Sequence, residues 1–306
     1  MLTKGDANKA VDAYQRVNNQ ANAKRSASLM ARAEGGAALA MDQAYFTQIP
    51  ALDKKDVAYN LAPFAYVKRT FYIPPASAGT NWFLVRAQGA QLTHGKPGKL
   101  WSKDIRFLVF KRSGDGWRMV VARDFEGRES AKAPHIALDE AGLMKVAARG
   151  TRIAGTAPAQ LPGLVTDLWV TGGRDTPLAD TSARRNGSSW YTERADNLDG
   201  HAWVDYKKTA SHAGDVFAAK TTDGGALVLS DSAVEETFLA KDLNSYINLG
   251  DSDKPLVERN PDARMDKVVR HCVQTELGII SAHGKPAVYS VGTQVTKVDV
   301  VPRSDV

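Results

Sequence analysis

Cysteine is nearly absent. With Cys272 alone, the chain can form no internal disulfide and no cysteine-based metal cluster. No stretch approaches the roughly 18 consecutive apolar residues of a membrane-spanning helix. Met1-Leu2-Thr3-Lys4-Gly5 leads straight into polar sequence, so no signal peptide is read there. The histidines, at 94, 135, 201, 212, 271 and 283, include no helical i, i+4 pair beside a carboxylate, which removes zinc-hydrolase spacing. The nucleophile elbow, the phosphate loop and the dinucleotide fingerprint are missing. Asp251 and Asp253 lie in an acidic stretch without the glycine and glutamate that a calcium loop requires. These absences leave no catalytic residue, metal or cofactor to name. Cys272 reads as a buried, inert thiol, because its strand neighbour His271 would point to the opposite face.

The composition is that of a globular protein. At 306 residues, with 43% apolar and 24% charged side chains, the chain suits two domains of about 150 residues each. Residues 1–130 hold 20 Lys and Arg against 11 Asp and Glu, a net of +9; residues 131–306 hold 20 against 23, a net of −3. A basic half could meet nucleic acid, an envelope polymer or a lipid surface. Because its basic residues are scattered, complementing halves or solvated charge is the better reading, and nucleic acid is disfavoured.

The clearest local structure is a hairpin over Ile105–Phe125, two runs of β-branched and aromatic residues around Ser113-Gly114-Asp115-Gly116. Ile105, Phe107 and Val109 share a face in the first arm, and Trp117, Met119, Val121, Arg123 and Phe125 do in the second. Before it, residues 6–47 read as two or three helices, with bends at Asn18-Asn19-Gln20 and Gly35-Gly36, and Pro50 closes the region. Strands follow at Phe64–Ile73 and Asn81–Gln88, the latter largely buried through Trp82, Phe83, Leu84 and Val85. The loop His94-Gly95-Lys96-Pro97-Gly98 leads into the hairpin, making about four strands. Gly127–Pro134 is polar and aperiodic, placing a boundary that divides the chain into 1–130 and 131–306.

The order then repeats. Helical signals occur at Ala137–Ala148, Leu161–Val170 and Leu178–Asp196, with breaks that include Pro177. Strand signals occur at His201–Thr209, Asp215–Thr221, Ala226–Ser230, Lys267–Ile280 and Ala287–Val301, with a polar insertion between them that includes Arg259-Asn260-Pro261-Asp262. The fold class is α+β, two helix-then-antiparallel-sheet domains in tandem.

Val17-Asn18-Asn19-Gln20-Ala21-Asn22, and especially Thr221-Thr222-Asp223-Gly224-Gly225-Ala226-Leu227-Val228-Leu229 with Thr237-Phe238-Leu239-Ala240, resemble an actinobacterial family of uncharacterised secreted lipoproteins. The resemblance covers most of the chain and is specific around 215–240. It implies tandem cystatin-like or nuclear-transport-factor-2-like halves, each a curved sheet wrapping a long helix. It also implies an extracytoplasmic, lipid-anchored protein, with the signal segment and lipidated cysteine outside this chain.

Cone-shaped halves can hold a ligand between helix and sheet, and some relatives of that architecture are isomerases or hydratases. Polar residues on apolar faces are therefore the candidates. Arg69 shares its face with Val67, Phe71 and Ile73, and Arg123 with the second hairpin arm. A core arginine must find an anion or reach solvent, since an unpaired buried charge costs several kcal/mol. Converging in one cavity, the two would suit a carboxylate or phosphate; otherwise each would pair with Asp124, Asp104 or a helix carboxylate. With Tyr14 and Trp117 they make the candidate ligand-binding set Arg69, Arg123, Tyr14 and Trp117. The expected function is a non-catalytic cell-envelope module that binds a protein, a cell-wall component or a small anionic ligand. The alternatives are an isomerase- or hydratase-type enzyme and a protein that assembles through a sheet face.

Overall fold

The computed structural model describes residues 2–114, 116–174, 178–193, 204–242, 244–258 and 260–302. Asp115 in the hairpin turn, Pro177, residues 194–196 of the last helical signal, residues 201–203 of the strand expected from His201, and Arg259 lie outside the described residues.

Helix α1 (Lys4–Lys24) begins on a reciprocal cap, in which Thr3 Oγ1 accepts from Asp6 N at 3.1 Å and Asp6 Oδ2 accepts from Thr3 N at 3.2 Å. The expected bend at Asn18-Asn19-Gln20 is absent: Asn18 and Asn22 are buried on the inner face, while Asn19 reaches a strand. The helix stops at Arg25, which is left-handed at φ 49°. After α2 (Ala27–Ala33), Glu34 and Gly35 are extended, and Gly35 N donates to Met119 O at 3.0 Å. Gly36, at φ 54°, opens α3 (Gly36–Gln48), so the break expected at the glycine pair is present. A fourth helix, α4 (Lys54–Asn60), lies beyond Pro50, where none was expected.

The first sheet comprises β1 (Phe64–Tyr72), β2 (Trp82–Thr93), β3 (Lys96–Leu100), β4 (Ile105–Ser113) and β5 (Gly116–Phe125). Its order is β1-β2-β4-β5, with β3 folded back on β2. The segment expected as a loop therefore supplies a fifth strand, because His94 and Gly95 turn sharply at φ 52° and 76°. The second half supplies α5 (Leu161–Val170), α6 (Ser182–Glu193), β6 (Val204–Lys220), β7 (Ala226–Ala240), β8 (Met265–Ile280) and β9 (Ala287–Pro302), the strands antiparallel in that order. Both halves are thus α+β with an antiparallel sheet. The helix expected at Ala137–Ala148 is not formed. Asp139 Oδ1 accepts from Ala141 N and Leu143 N, a side-chain turn that competes with helix, and Ile136 and Val146 bridge to Thr221 and Ala219. The strands expected at 201–209 and 215–221 are joined as β6, whose bulges absorb the polar link between them.

The two sheets pack face to face, and this explains the unbroken apolar runs. One face of the first sheet, with Phe64, Phe83, Val85, Leu108 and Phe110, covers Ala7, Val11 and Tyr14 of α1. Its other face, with Tyr72, Trp82, Leu84, Phe107, Val109 and Phe125, meets Phe217, Leu227, Leu229 and Leu277 of the second sheet. The far side of that sheet packs on Leu161, Val165 and Leu168 of α5. Strands β2 and β4 are therefore buried on both faces, so they lack the alternation of a half-wet strand. Phe83, Phe107, Phe110 and Phe125 are fully buried, each stabilising by about 1.5–3 kcal/mol. No described helix is long and apolar enough to cross a membrane.

One bulge resets the hairpin. Val109 pairs with Val121 but Phe110 pairs with Met119, leaving Val120 as the extra residue. Trp117 and Met119 consequently face the helices, while Val121 and Phe125 face the second sheet. The single face expected for Trp117, Met119, Val121 and Phe125 is split in two.

Candidate functional site

A cavity of about 350 Å³ lies between the helices and the first sheet. The stripe Tyr14, Asn18, Asn22 on α1 forms one wall, placed there by its i, i+4, i+8 spacing. Glu34, between α2 and α3, and Asp42 on α3 complete the helix side. Arg106, Met119, Ala122 and Arg123 rise from the sheet, and Thr275 of β8 adds a residue from the second sheet. Tyr59, Phe64, Tyr66 and Trp101 make much of the remaining lining aromatic.

The helix wall carries a buried polar network. Tyr14 OH donates to Glu34 Oε1 at 3.1 Å, and Asn18 Nδ2 donates to the same oxygen at 3.2 Å. Asn22 Nδ2 donates to Asn18 Oδ1 at 3.1 Å. Glu34 is 1% exposed; its Oε2 accepts from no N–H or hydroxyl donor, and the carboxyl shares a side-chain hydrogen bond with Asp42. Asp42 stands near enough for each carboxyl to influence the other's titration. Burial, followed by the Asp42 charge, pushes Glu34 well above the usual carboxyl range, and burial pushes Asp42 up to about 6. The two carboxyls therefore titrate as a pair, which keeps its protons to higher pH than free carboxyls do. Both bonds to Oε1 leave the rest of the carboxyl to Asp42. Such a pair could pass a proton or grip a cationic donor.

The sheet wall is cationic. Arg106 is held in a two-pronged pair with Asp124, Nε to Oδ1 at 2.7 Å and Nη2 to Oδ2 at 2.5 Å, and also donates to Tyr66 OH at 3.3 Å. Arg123 differs. Its Nε donates to Thr275 Oγ1 at 2.7 Å, and among the described residues it forms no ion pair with a carboxylate. Of the acids whose charges it feels, Asp124 holds Arg106 and Glu276 accepts from Ser230 and Ser232, while Glu126 acts on it without forming an ion pair. Burial, followed by the Arg106 charge, pulls its guanidinium down from the usual range. The head group rests on Gly292 of β9, where any Cβ would overlap it.

Of the four residues singled out from sequence, Tyr14 and Arg123 line this cavity. Arg69 does not. A bulge between Val67 and Thr70, with Lys68 at φ 52°, turns it onto the outer side of α1. There it pairs with Asp12 at 2.6 Å and bonds Asn8, Gln15 and Tyr66 O, so its partner is a helix carboxylate. Trp117 packs edge-on against Phe83, with centroids 4.9 Å apart, and lines a separate hollow with Ile73, Pro74 and Arg112. The convergence expected of Arg69 and Arg123 does not occur. Sequence reasoning passed over Asn18, Asn22, Glu34, Asp42 and Arg106. The asparagines continue the buried stripe of Val11 and Tyr14, and that spacing was the available signal.

Elsewhere, Cys272 is buried and burial pushes its thiol up to about 12, while His271 bonds Asp299 at 2.7 Å on the accessible side of the strand. Among the described residues, no cluster of three His, Cys, Asp or Glu side chains is placed to hold a metal ion.

The family described as "Domain of unknown function (DUF8094)" matches residues 1–299. The chain is also similar to an uncharacterized lipoprotein of Streptomyces coelicolor, at 27% identity over 259 residues, covering 83% of this chain and 70% of that protein. No solved structure matches it.

Proposed function

Because the chain belongs to the DUF8094 family and is similar to a lipoprotein, we propose that it is an extracytoplasmic, lipid-anchored protein that binds a small anionic ligand in the cavity of its first half. Residues 1–130 and 131–306 are then its two cystatin-like or nuclear-transport-factor-2-like units. That division draws support from the repeated order of helices followed by antiparallel strands.

One observation carries the binding reading. Arg123 stands in a cavity of ligand size, held by a hydroxyl and not by a carboxylate. A buried cation without an anionic partner costs several kcal/mol, and an incoming carboxylate or phosphate removes that penalty with two parallel hydrogen bonds. The volume falls at the small end of ligand pockets, which run on the order of 300–1,000 Å³.

The test compares native and denatured masses of gently purified protein, followed by thermal melts with monocarboxylates and inorganic phosphate. A retained small molecule, or stabilisation by an anion that Arg123→Gln abolishes, is the expected result. Stabilisation that survives Arg123→Gln, or its absence throughout with no retained molecule, overturns the reading.

A further inference from the structure

The cavity's two walls differ in charge, and that difference describes the ligand further. The sheet wall offers Arg123, while the helix wall offers the Glu34–Asp42 pair, two carboxyls bonded to each other and, among the described residues, to no cation. Tyr59, Phe64, Tyr66 and Trp101 line the same space, and aromatic faces attract ammonium groups. A ligand with an anion only would satisfy Arg123 and leave the acidic wall unanswered. We infer that the ligand is a small zwitterion of the amino-acid type, its carboxylate on Arg123 and its ammonium between Asp42, Glu34 and the aromatic rings.

The inference rests on the anion-binding reading above and adds the second pole. An ammonium has three donors to place. Glu34 and Asp42 line the space with no cation paired to either among the described residues, and the ring faces accept the remaining charge. Tyr14, Asn18 and Asn22 already bond to one another and to Glu34 Oε1, so they hold the acid in place beside Asp42. A positive charge arriving there also favours the ionised form of both carboxyls, which burial opposes.

Isothermal titration at neutral pH tests this with straight-chain ω-amino acids of increasing length, each beside its matching monocarboxylate and monoamine. At the length that spans the walls, the amino acid should bind on the order of tenfold more tightly than the monocarboxylate. Asp42→Asn should remove the preference yet keep monocarboxylate binding, and Arg123→Gln should remove both. Equal affinity for amino acid and monocarboxylate at every length overturns the zwitterion and leaves the anion site standing. Amine binding that persists in Arg123→Gln, without carboxylate binding in the parent, overturns the anion site instead. No binding by any probe overturns both.

Discussion

Replacing Asp42 with asparagine should stabilise the protein at neutral and alkaline pH, and the gain should vanish in acid. Asp42 titrates at about 6 in the folded chain, against about 3.9 for a free aspartate. Below about pH 4 the folded and unfolded states both carry the proton, so the group contributes nothing to the difference between them. As pH rises from about 4 to 6 the unfolded state gives up its proton first, and stability falls. Above about 6 the loss is complete and constant. A separation of about two units corresponds to roughly 3 kcal/mol, at about 1.4 kcal/mol per unit. Glu34, raised for the same reason, extends the decline to higher pH. Asp42→Asn removes one titrating group and gives Glu34 an amide donor in place of a second carboxyl. Urea melts from pH 4 to 8 should therefore show the variant and parent together near pH 4 and separated by about 3 kcal/mol at pH 8, or roughly 5 °C in Tm for a chain of this length. Superimposable profiles, or a variant less stable at pH 8, would refute the claim that burial strains this carboxyl.

Three other perturbations probe neighbouring features. Gly292→Ala should displace the Arg123 head group and abolish anion binding, while shifting stability by under about 1 kcal/mol, since the obstructed atoms end a flexible side chain; tight anion binding in the variant would contradict the placement of Arg123. Asn19→Ala should cost about 1–3 kcal/mol in a denaturant melt, because Asn19 both donates to Phe64 O at 2.8 Å and accepts from Phe64 N at 3.1 Å, leaving two backbone groups of β1 unmatched when it is removed. Cys272, buried and with its thiol pushed up to about 12, should resist a thiol reagent at pH 8 in native protein and react promptly once unfolded; fast native labelling would show that β8 opens readily.

The hairpin around residues 105–125 was legible because its signals are local: alternating β-branched and aromatic residues, and turn formers between them. The same holds for α5 and for the closing pair β8 and β9. Even within the hairpin, the bulge at Val120 escaped notice, since an extra residue changes no local propensity and is settled only by the partner strand. The segment 137–148 shows the reverse error. Its composition favours helix, but Asp139 and Gly142 close a turn and its backbone bonds go to the neighbouring strands.

The cavity divides in the same way. Tyr14 and Arg123 were visible as polar groups on apolar faces, and Asn18 and Asn22 stood on the stripe that Tyr14 marks. Local sequence therefore encoded most of the elements, though not α4, β3 or the turn at 137–148, because each of the rest depends on side chains a few positions apart. Only the tertiary structure decided that Glu34 would meet Asp42, that Arg69 would turn to Asp12, and that Arg123 would cross to Thr275 and Gly292. The last of these links residues more than 150 positions apart, and no local pattern encodes such a meeting. It arises from the face-to-face packing of two sheets, which brings strands of both halves against one buried guanidinium.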